Sequence, residues 1–267
     1  MRLRLDRRRW VDEAEHATLN LDNGAVIVTG PDSSKRAVKI ENVHALVLGP
    51  GTMISHAAIR ACSKSGCAVV FTGSSGASVD TTVAPLTSDL ALAAAQAAAV
   101  SSTSRRLAVV RRMLAKRFGT TAPTWGSSNR LMGWEGAMMR RTYTDLAARY
   151  GVTWSGRTVE GKSDELDLPN RLLSSCSPLL YTAAAVTCSA FRLHPDLGIF
   201  HAHRPRGFIY DIADIWRIDC LIAPVFAYLS EHGNDASVTD VRHSVKEALE
   251  AKFWPAVYNT LNQVLRL

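Results

Sequence analysis

The stretch Cys67-Ala-Val-Val-Phe-Thr-Gly-Ser-Ser-Gly-Ala-Ser-Val-Asp-Thr-Thr-Val-Ala-Pro-Leu-Thr87 divides the chain into two kinds of sequence. Before it, apolar residues alternate or come in short runs bounded by turn residues, the pattern of strands. After it they recur every three or four residues, the pattern of helices. Within it, from Gly73 to Thr87, Ser, Gly, Thr and Pro accumulate as they do in a linker. The expected fold is α+β: a small N-terminal β-rich domain over 1–78, then a larger all-α domain over 79–267.

Toward the N-terminus, His16-Ala-Thr-Leu-Asn-Leu-Asp22 alternates, Asn23-Gly24 suits a tight hairpin turn, and Ala25–Val28 returns. Val38–Ile40, Ala45–Leu48 and Cys67–Phe71 continue the β pattern, and Ser55 is a natural N-cap for a short helix over His56–Arg60. Toward the C-terminus, Leu107, Val110, Leu114 and Phe118 mark one face of a helix whose other stripe carries Arg105, Arg112 and Lys116. Further helices are expected over Ser127–Tyr150, Asn170–Phe191, Tyr210–Leu229 and from Ser237 onward, with Pro255 interrupting the last. A polar loop, Val152–Pro169, separates two of them.

With 267 residues, 47% hydrophobic and 21% charged, the chain has the composition of a folded protein rather than a disordered one. Its five cysteines form no C-x-x-C pair, which points to reduced, buried thiols and away from a disulfide framework or structural zinc. The Ala-rich run Leu90–Val100 is too short to cross a bilayer, and the basic start Met1–Arg9 is followed by no apolar segment, so a cytosolic protein is expected. The formal charge is +7. The segment from Ser104 to Arg149 carries Arg105, Arg106, Arg111, Arg112, Lys116, Arg117, Arg130, Arg140, Arg141 and Arg149 against only Glu135 and Asp145. A basic helical surface of this kind attracts polyanions by releasing their counterions.

Three acids and a histidine stand out. Glu135 shares a helix stripe with Leu131, Met138 and Thr142, so it lies on a largely apolar face and needs a cation, a metal or a nearby arginine such as Arg140 or Arg141. Asp211 and Asp214 are three apart at an expected helix start, where they face inward or act as caps. His201 and His203 alternate in what reads as an extended segment, flanked by Arg204 and Arg206. Histidine with carboxylates is a mixed N/O set suited to Mn²⁺ or Mg²⁺, and the arginines suit a phosphate. Gly73-Ser-Ser-Gly76 is too short for a nucleotide-binding loop.

At these residues the chain resembles the CRISPR-associated adaptation integrase, the Cas-one family, in its type I-E branch. The resemblance is carried by Gly49-Pro-Gly-Thr-Met-Ile-Ser-His-Ala-Ala58, by Trp134-Glu-Gly with Arg140 and Tyr143, by Tyr150-Gly-Val-Thr-Trp-Ser-Gly-Arg157, and by Phe208-Ile-Tyr-Asp-Ile-Ala-Asp214. It implies a β-rich domain joined to a helical catalytic one. It also implies that Glu135, His201 and Asp214 bind Mg²⁺ or Mn²⁺, with Asp211 a further catalytic aspartate. The implied reaction inserts a short duplex, the prespacer, into the CRISPR repeat through attack of a DNA 3′-hydroxyl on a phosphodiester; related proteins also cleave DNA. The implied partners are double-stranded DNA, a second copy bound through the β-rich domain, and a Cas-two dimer bridging two such homodimers. Arg60 and Arg204 match DNA-associated basic positions, Arg140 belongs to the matched string, and Arg105, Arg112, Lys116, Arg242 and Lys246 are the other expected DNA contacts. Met53, Met132, Met138 and Ser78 stand where related proteins carry arginine. The alternatives are a metal-dependent repair or recombination nuclease and a non-catalytic DNA-binding scaffold.

Overall fold

The hairpin at Asn23-Gly24 begins the β-rich part: both residues take positive φ, 45° and 79°, and register Thr18 against Thr29 through Asp22 against Ala25. The computed structural model describes residues 9–73, 79–85, 90–158 and 166–266. Ser78, Ser74–Gly76 and part of the loop expected at Val152–Pro169 lie outside these. In chain order the strands are β1 (Arg9–Ala14), β2 (Thr18–Asp22), β3 (Ala25–Thr29), β4 (Lys35–Val38), β5 (Val43–Leu48), β6 (Met53–Ile54), β7 (Ala68–Thr72) and β8 (Val79–Val83), with helix α1 (His56–Ser65) between β6 and β7. Then follow α2 (Ala91–Val100), α3 (Thr103–Phe118), α4 (Ser128–Tyr150), α5 (Leu168–Phe191), α6 (Gly207–Arg217), α7 (Ala223–His232), α8 (Val238–Ala248) and α9 (Trp254–Leu265). The β-then-α order is the one expected.

Two four-stranded sheets form, in the orders β1-β5-β7-β8 and β4-β3-β2-β6. The first is parallel except for β8, and β5 within it is buried along its whole length, as a strand covered on both faces must be. Leu19, Val26, Val28, Leu46, Leu48 and Val69 share one core with Ala58 and Cys62 of α1. Ser55 caps α1 by accepting a hydrogen bond from the Ala58 N–H, as its position predicts.

The linker reading of Gly73–Thr87 is corrected at β8, which pairs antiparallel with β7. Val79 and Val83 supply β propensity, but the surrounding Ser, Gly and Pro dominate the local composition. The chain divides into two compact units, Met1–Ala94 with Tyr181–Pro195, and Ala95–Leu180 with Asp196–Leu267.

In the helical unit α3 packs against α4, α6 and α9, and α4 against α7. The core is set by Phe208, Phe226, Phe253, Leu131, Leu172 and Ile212, all under 2% exposed. The long helices expected after Tyr210 and Ser237 are each interrupted by a wide, π-type turn, at Ile218–Ile222 and Leu249–Phe253. The second interruption falls before Pro255, which sits in the first turn of α9 and has no N–H to return to the preceding helical turn. Helix α5 is long and apolar enough to cross a membrane, yet 67% of its apolar window is buried in the protein, the mark of a core helix. All five cysteines are free and buried, and burial pushes the thiols of Cys176 and Cys220 up to about 11 and about 12. They are poor nucleophiles, in keeping with the expected reduced thiols.

Candidate active site

Four segments bring ionisable groups together in the helical unit: α3, α4, α6 and the loop 199–206 that precedes α6. Leu107, Val110 and Leu114 bury one face of α3, and Arg117, one turn further along it, is carried inward with them. Its side chain is 4% exposed. Leu131, Met139, Tyr143 and Ala147 are the buried stripe of α4, and Glu135 lies on that stripe one turn from Leu131. The stripe therefore contains Met139 and Tyr143 rather than Met138 and Thr142. The cation facing Glu135 is neither Arg140 nor Arg141: Arg117 Nη1 donates to Glu135 Oε1 at 2.6 Å, and Arg141 pairs with Asp145.

Helix α6 starts at Gly207, not Tyr210, so Asp211 and Asp214 lie inside it and are not caps. Asp211, fully buried, turns back on the preceding loop. Its Oδ2 accepts the N–H groups of Ile199 and Phe200 at 2.5 and 3.1 Å, and its Oδ1 accepts the His201 N–H at 2.9 Å and faces His201 Nδ1 at 2.8 Å. One carboxylate thus satisfies three backbone donors and sets the imidazole, with Nδ1–H donating to Asp211 and Nε2 left facing Asp214 Oδ2 at 3.8 Å. Asp214 also accepts from Arg217 Nε at 2.7 Å and faces Arg117 Nη1 at 3.4 Å. Glu135, His201 and Asp214 are therefore brought together, with Arg117 in their midst and Arg217 at the edge.

The loop 199–206 is built of bends and turns, and this corrects the extended reading of His201 and His203. His203 takes φ 66° and is exposed, so it does not share the side that His201 presents. Two glycines clamp the loop: a Cβ on Gly198 would lie 2.5 Å from the His201 carbonyl oxygen, and one on Gly207 would collide with the same atom. Gly198→Ala is expected to push the His201 backbone off its seat, lowering DNA cleavage and joining by about 100-fold, on the scale of a 1 Å misplacement. The measurement is a single-turnover rate; an unchanged rate rules out this clamp.

The matched string Tyr150–Arg157 is structural. Trp154 stacks on Tyr143 at 4.8 Å between ring centroids and packs on Phe226. Arg157 donates to Asn170 Oδ1 and Ser174 Oγ, pinning the loop after α4 to α5.

The charges shift the site's titrations in opposite directions. Burial opposes the His201 imidazolium, but the hydrogen bond to Asp211 and the charges of Asp211 and Asp214 outweigh it, leaving the pKa above its ordinary 6.5. Burial likewise opposes the Asp214 carboxylate, and Arg217, Arg117 and His201 together outweigh it, leaving the pKa below its ordinary 3.8. The stability contributed by His201 is fully present below the ordinary histidine value and is lost as pH rises through its raised one. That contributed by Asp214 is present above the ordinary aspartate value and is lost as pH falls through its lowered one. In metal-free protein His201→Gln should therefore lower the melting temperature most below about pH 6, with the gap to the parent closing as pH rises. A gap independent of pH contradicts the pairing.

Two expected DNA contacts are turned into the fold. Arg112 donates from Nε to the Val264 carbonyl at 2.8 Å and from Nη2 to that of Arg266, closing the end of α9, and Arg242 donates to the Ser175 carbonyl at 2.6 Å. The free carbonyls at the end of α9 are strong acceptors and the guanidinium fork of Arg112 fits them, whereas Ser175 lies within α5. Arg60, Arg105, Lys116, Arg140 and Arg204 are exposed, and Lys246 is half-buried. Arg117 and Arg217 escaped the sequence reading, although Arg117 extends the apolar row of α3 as Glu135 extends that of α4.

The donors, two carboxylates and an imidazole nitrogen, fit a hard divalent cation such as Mg²⁺ or Mn²⁺. As placed, no three His, Cys, Asp or Glu side chains among the described residues are grouped to hold one. Between Glu135 and Asp214 stands the guanidinium of Arg117.

Two family-model matches, to residues 13–123 and 116–253, carry the description "CRISPR associated protein Cas1". A CRISPR-associated endonuclease Cas1 of Geobacter sulfurreducens is 32% identical over 253 residues, spanning 94% of this chain and 82% of the relative. One of Escherichia coli K12 is 34% identical over 217 residues, spanning 79% and 70%. The crystal structure of a TtCas1–DNA complex superposes with a TM-score of 0.76 at 28% identity, covering 98% of this chain and 97% of the other. Matched along nearly its whole length in sequence and in fold, this chain belongs to the CRISPR-associated Cas1 family.

Proposed function

We propose that this chain is a divalent-metal-dependent DNA endonuclease and integrase of CRISPR adaptation, in which Glu135, His201 and Asp214 hold Mg²⁺ or Mn²⁺ and Asp211 acts through His201. The observation that carries this reading is that Glu135 of α4 and Asp214 of α6 both face Arg117 Nη1, while His201 of loop 199–206 turns Nε2 toward the same Asp214 oxygen. A bound ion there supplies Lewis acidity to a phosphodiester and to the attacking hydroxyl. The protein's own groups do the rest. Asp211 keeps Nδ1 protonated, so that Nε2 is available as a donor of electrons. Arg217 holds Asp214 in orientation. Arg204, exposed beside His201, supplies positive charge for a DNA phosphate.

The substrates under this reading are double-stranded prespacer DNA and the CRISPR repeat, met through Arg60, Arg105, Lys116, Arg140, Arg204 and Lys246. Arg112 and Arg242 serve the fold first. Placement in the type I-E branch rests on the matched strings Tyr150–Arg157 and Phe208–Asp214. A homodimer formed through the β-rich unit, a bridging Cas2 dimer and a cytoplasmic location complete the proposal. The test is an integration assay: purified chain, Cas2, Mn²⁺, a prespacer and a supercoiled array plasmid should give joined DNA. Cleavage without joining favours the repair-nuclease alternative, and binding with neither leaves a scaffold.

A further inference from the structure

Arg117 occupies a position that the reaction proposed above does not explain. It lies on the buried face of α3, its residue 8% exposed, and its Nη1 reaches Glu135 Oε1 at 2.6 Å and Asp214 Oδ2 at 3.4 Å. Its Nε is buried and has no hydrogen-bond partner among the described residues. Two carboxylates that converge from different helices repel one another unless a cation lies between them. A guanidinium meets that need permanently, because it does not lose its proton in a protein.

The same permanence creates a conflict. An ion held by Glu135, Asp214 and His201 would lie beside the guanidinium that now faces both acids, and two positive charges that close repel one another. Arg117 cannot yield by deprotonating, so it yields by moving. Its orphaned Nε means that the buried seat leaves one donor unsatisfied, so departure from it forfeits less than a fully paired arginine would lose. The absence of a ready three-residue metal group among the described residues follows from the same geometry.

We propose that Arg117 is a cationic placeholder: it holds Glu135 and Asp214 together in the metal-free site and competes with the divalent cation for them. This rests on the reading of Glu135, His201 and Asp214 as a metal site. Arg117 is on this view a positioning residue of the metal-free state, and the affinity of the site for an ion is set by how readily its guanidinium withdraws.

The test uses the full chain without DNA and MnCl₂ as the probe. Isothermal titration should show Mn²⁺ binding to the Arg117→Gln variant about tenfold or more tighter than to the parent, the scale of one charge-assisted hydrogen bond removed from the competition. The metal-free melting temperature should fall in that variant, and its rise on adding Mn²⁺ should exceed the parent's. A crystal structure of the parent with Mn²⁺, which does not depend on the variant folding, should show the guanidinium withdrawn from Glu135. An ion on Glu135 and Asp214 with Nη1 still in place overturns the proposal. So does binding that Glu135→Gln and Asp214→Asn weaken but Arg117→Gln leaves unchanged or weaker. Binding absent from the parent, or indifferent to both carboxylate variants, instead removes the metal-site reading on which the proposal stands.

Discussion

Asp214→Ala is expected to lower DNA strand joining by about a thousandfold or more while leaving DNA binding in place. Removing one stabilising donor from a preorganised site already costs about 100- to 1000-fold, and Asp214 combines two roles. It faces His201 Nε2 and Arg117 Nη1 with one oxygen and holds Arg217 with the other. The informative control is Asp214→Asn, which keeps the shape and one acceptor for Arg217 but loses the charge. Joining should fall nearly as far as in the alanine variant, while the melting temperature stays closer to the parent's. On the function proposed above binding rests on exposed cations elsewhere, and loss of a negative charge should leave it unchanged or slightly tighter. Joining by Asp214→Asn at the parent rate is the result that excludes Asp214 as a ligand. Gel-shift and strand-transfer assays on the same preparations separate the two effects.

Asp211→Asn should damage stability nearly as much as Asp211→Ala, despite its close resemblance in shape. Both carboxylate oxygens accept: Ile199 and Phe200 on one, the backbone and imidazole of His201 on the other. An amide must turn its NH₂ toward one of these pairs of donors. At least one buried N–H then goes unsatisfied and another contact becomes repulsive, at a cost of about 1–3 kcal/mol for each group. A total of about 3 kcal/mol corresponds to a fall in melting temperature of about 6–12 °C for a chain of this size. Activity should fall with it, because the loop that aims His201 loses its anchor. Scanning calorimetry on metal-free protein decides the point. A shift of about one degree would show that water or the backbone readily replaces the carboxylate.

The order of the fold was legible because local patterns agree with it. The Asn23-Gly24 turn, the Ser55 cap and the apolar stripe of α3 are each decided within a few residues, and tertiary packing confirms them. The failures were of one kind. Strand β8 is held by β7 and not by its own composition. The turns that break the last long helices come just before Pro224 and Pro255, and of these the sequence marked only Pro255 as an interruption. Loop 199–206 was misread as extended because His201 and His203 alternate in sequence, whereas Asp211 gathers three successive N–H groups into a tight bend that no strand can make.

The same distinction holds at the site. By itself the sequence determined the family and the β-then-α arrangement, and it singled out Glu135, His201, Asp211 and Asp214 as candidates, because those residues lie in short strings whose chemistry is visible one segment at a time. Only the tertiary structure decided which groups meet. It turned Asp211 onto the loop, gave Asp214 to Arg217, turned Arg112 and Arg242 onto backbone carbonyls, and placed Arg117 between two acids 18 and 97 positions further along the chain. Charge pairing acts through space over a few ångströms, and a linear pattern records which charges exist but not which of them burial forces together.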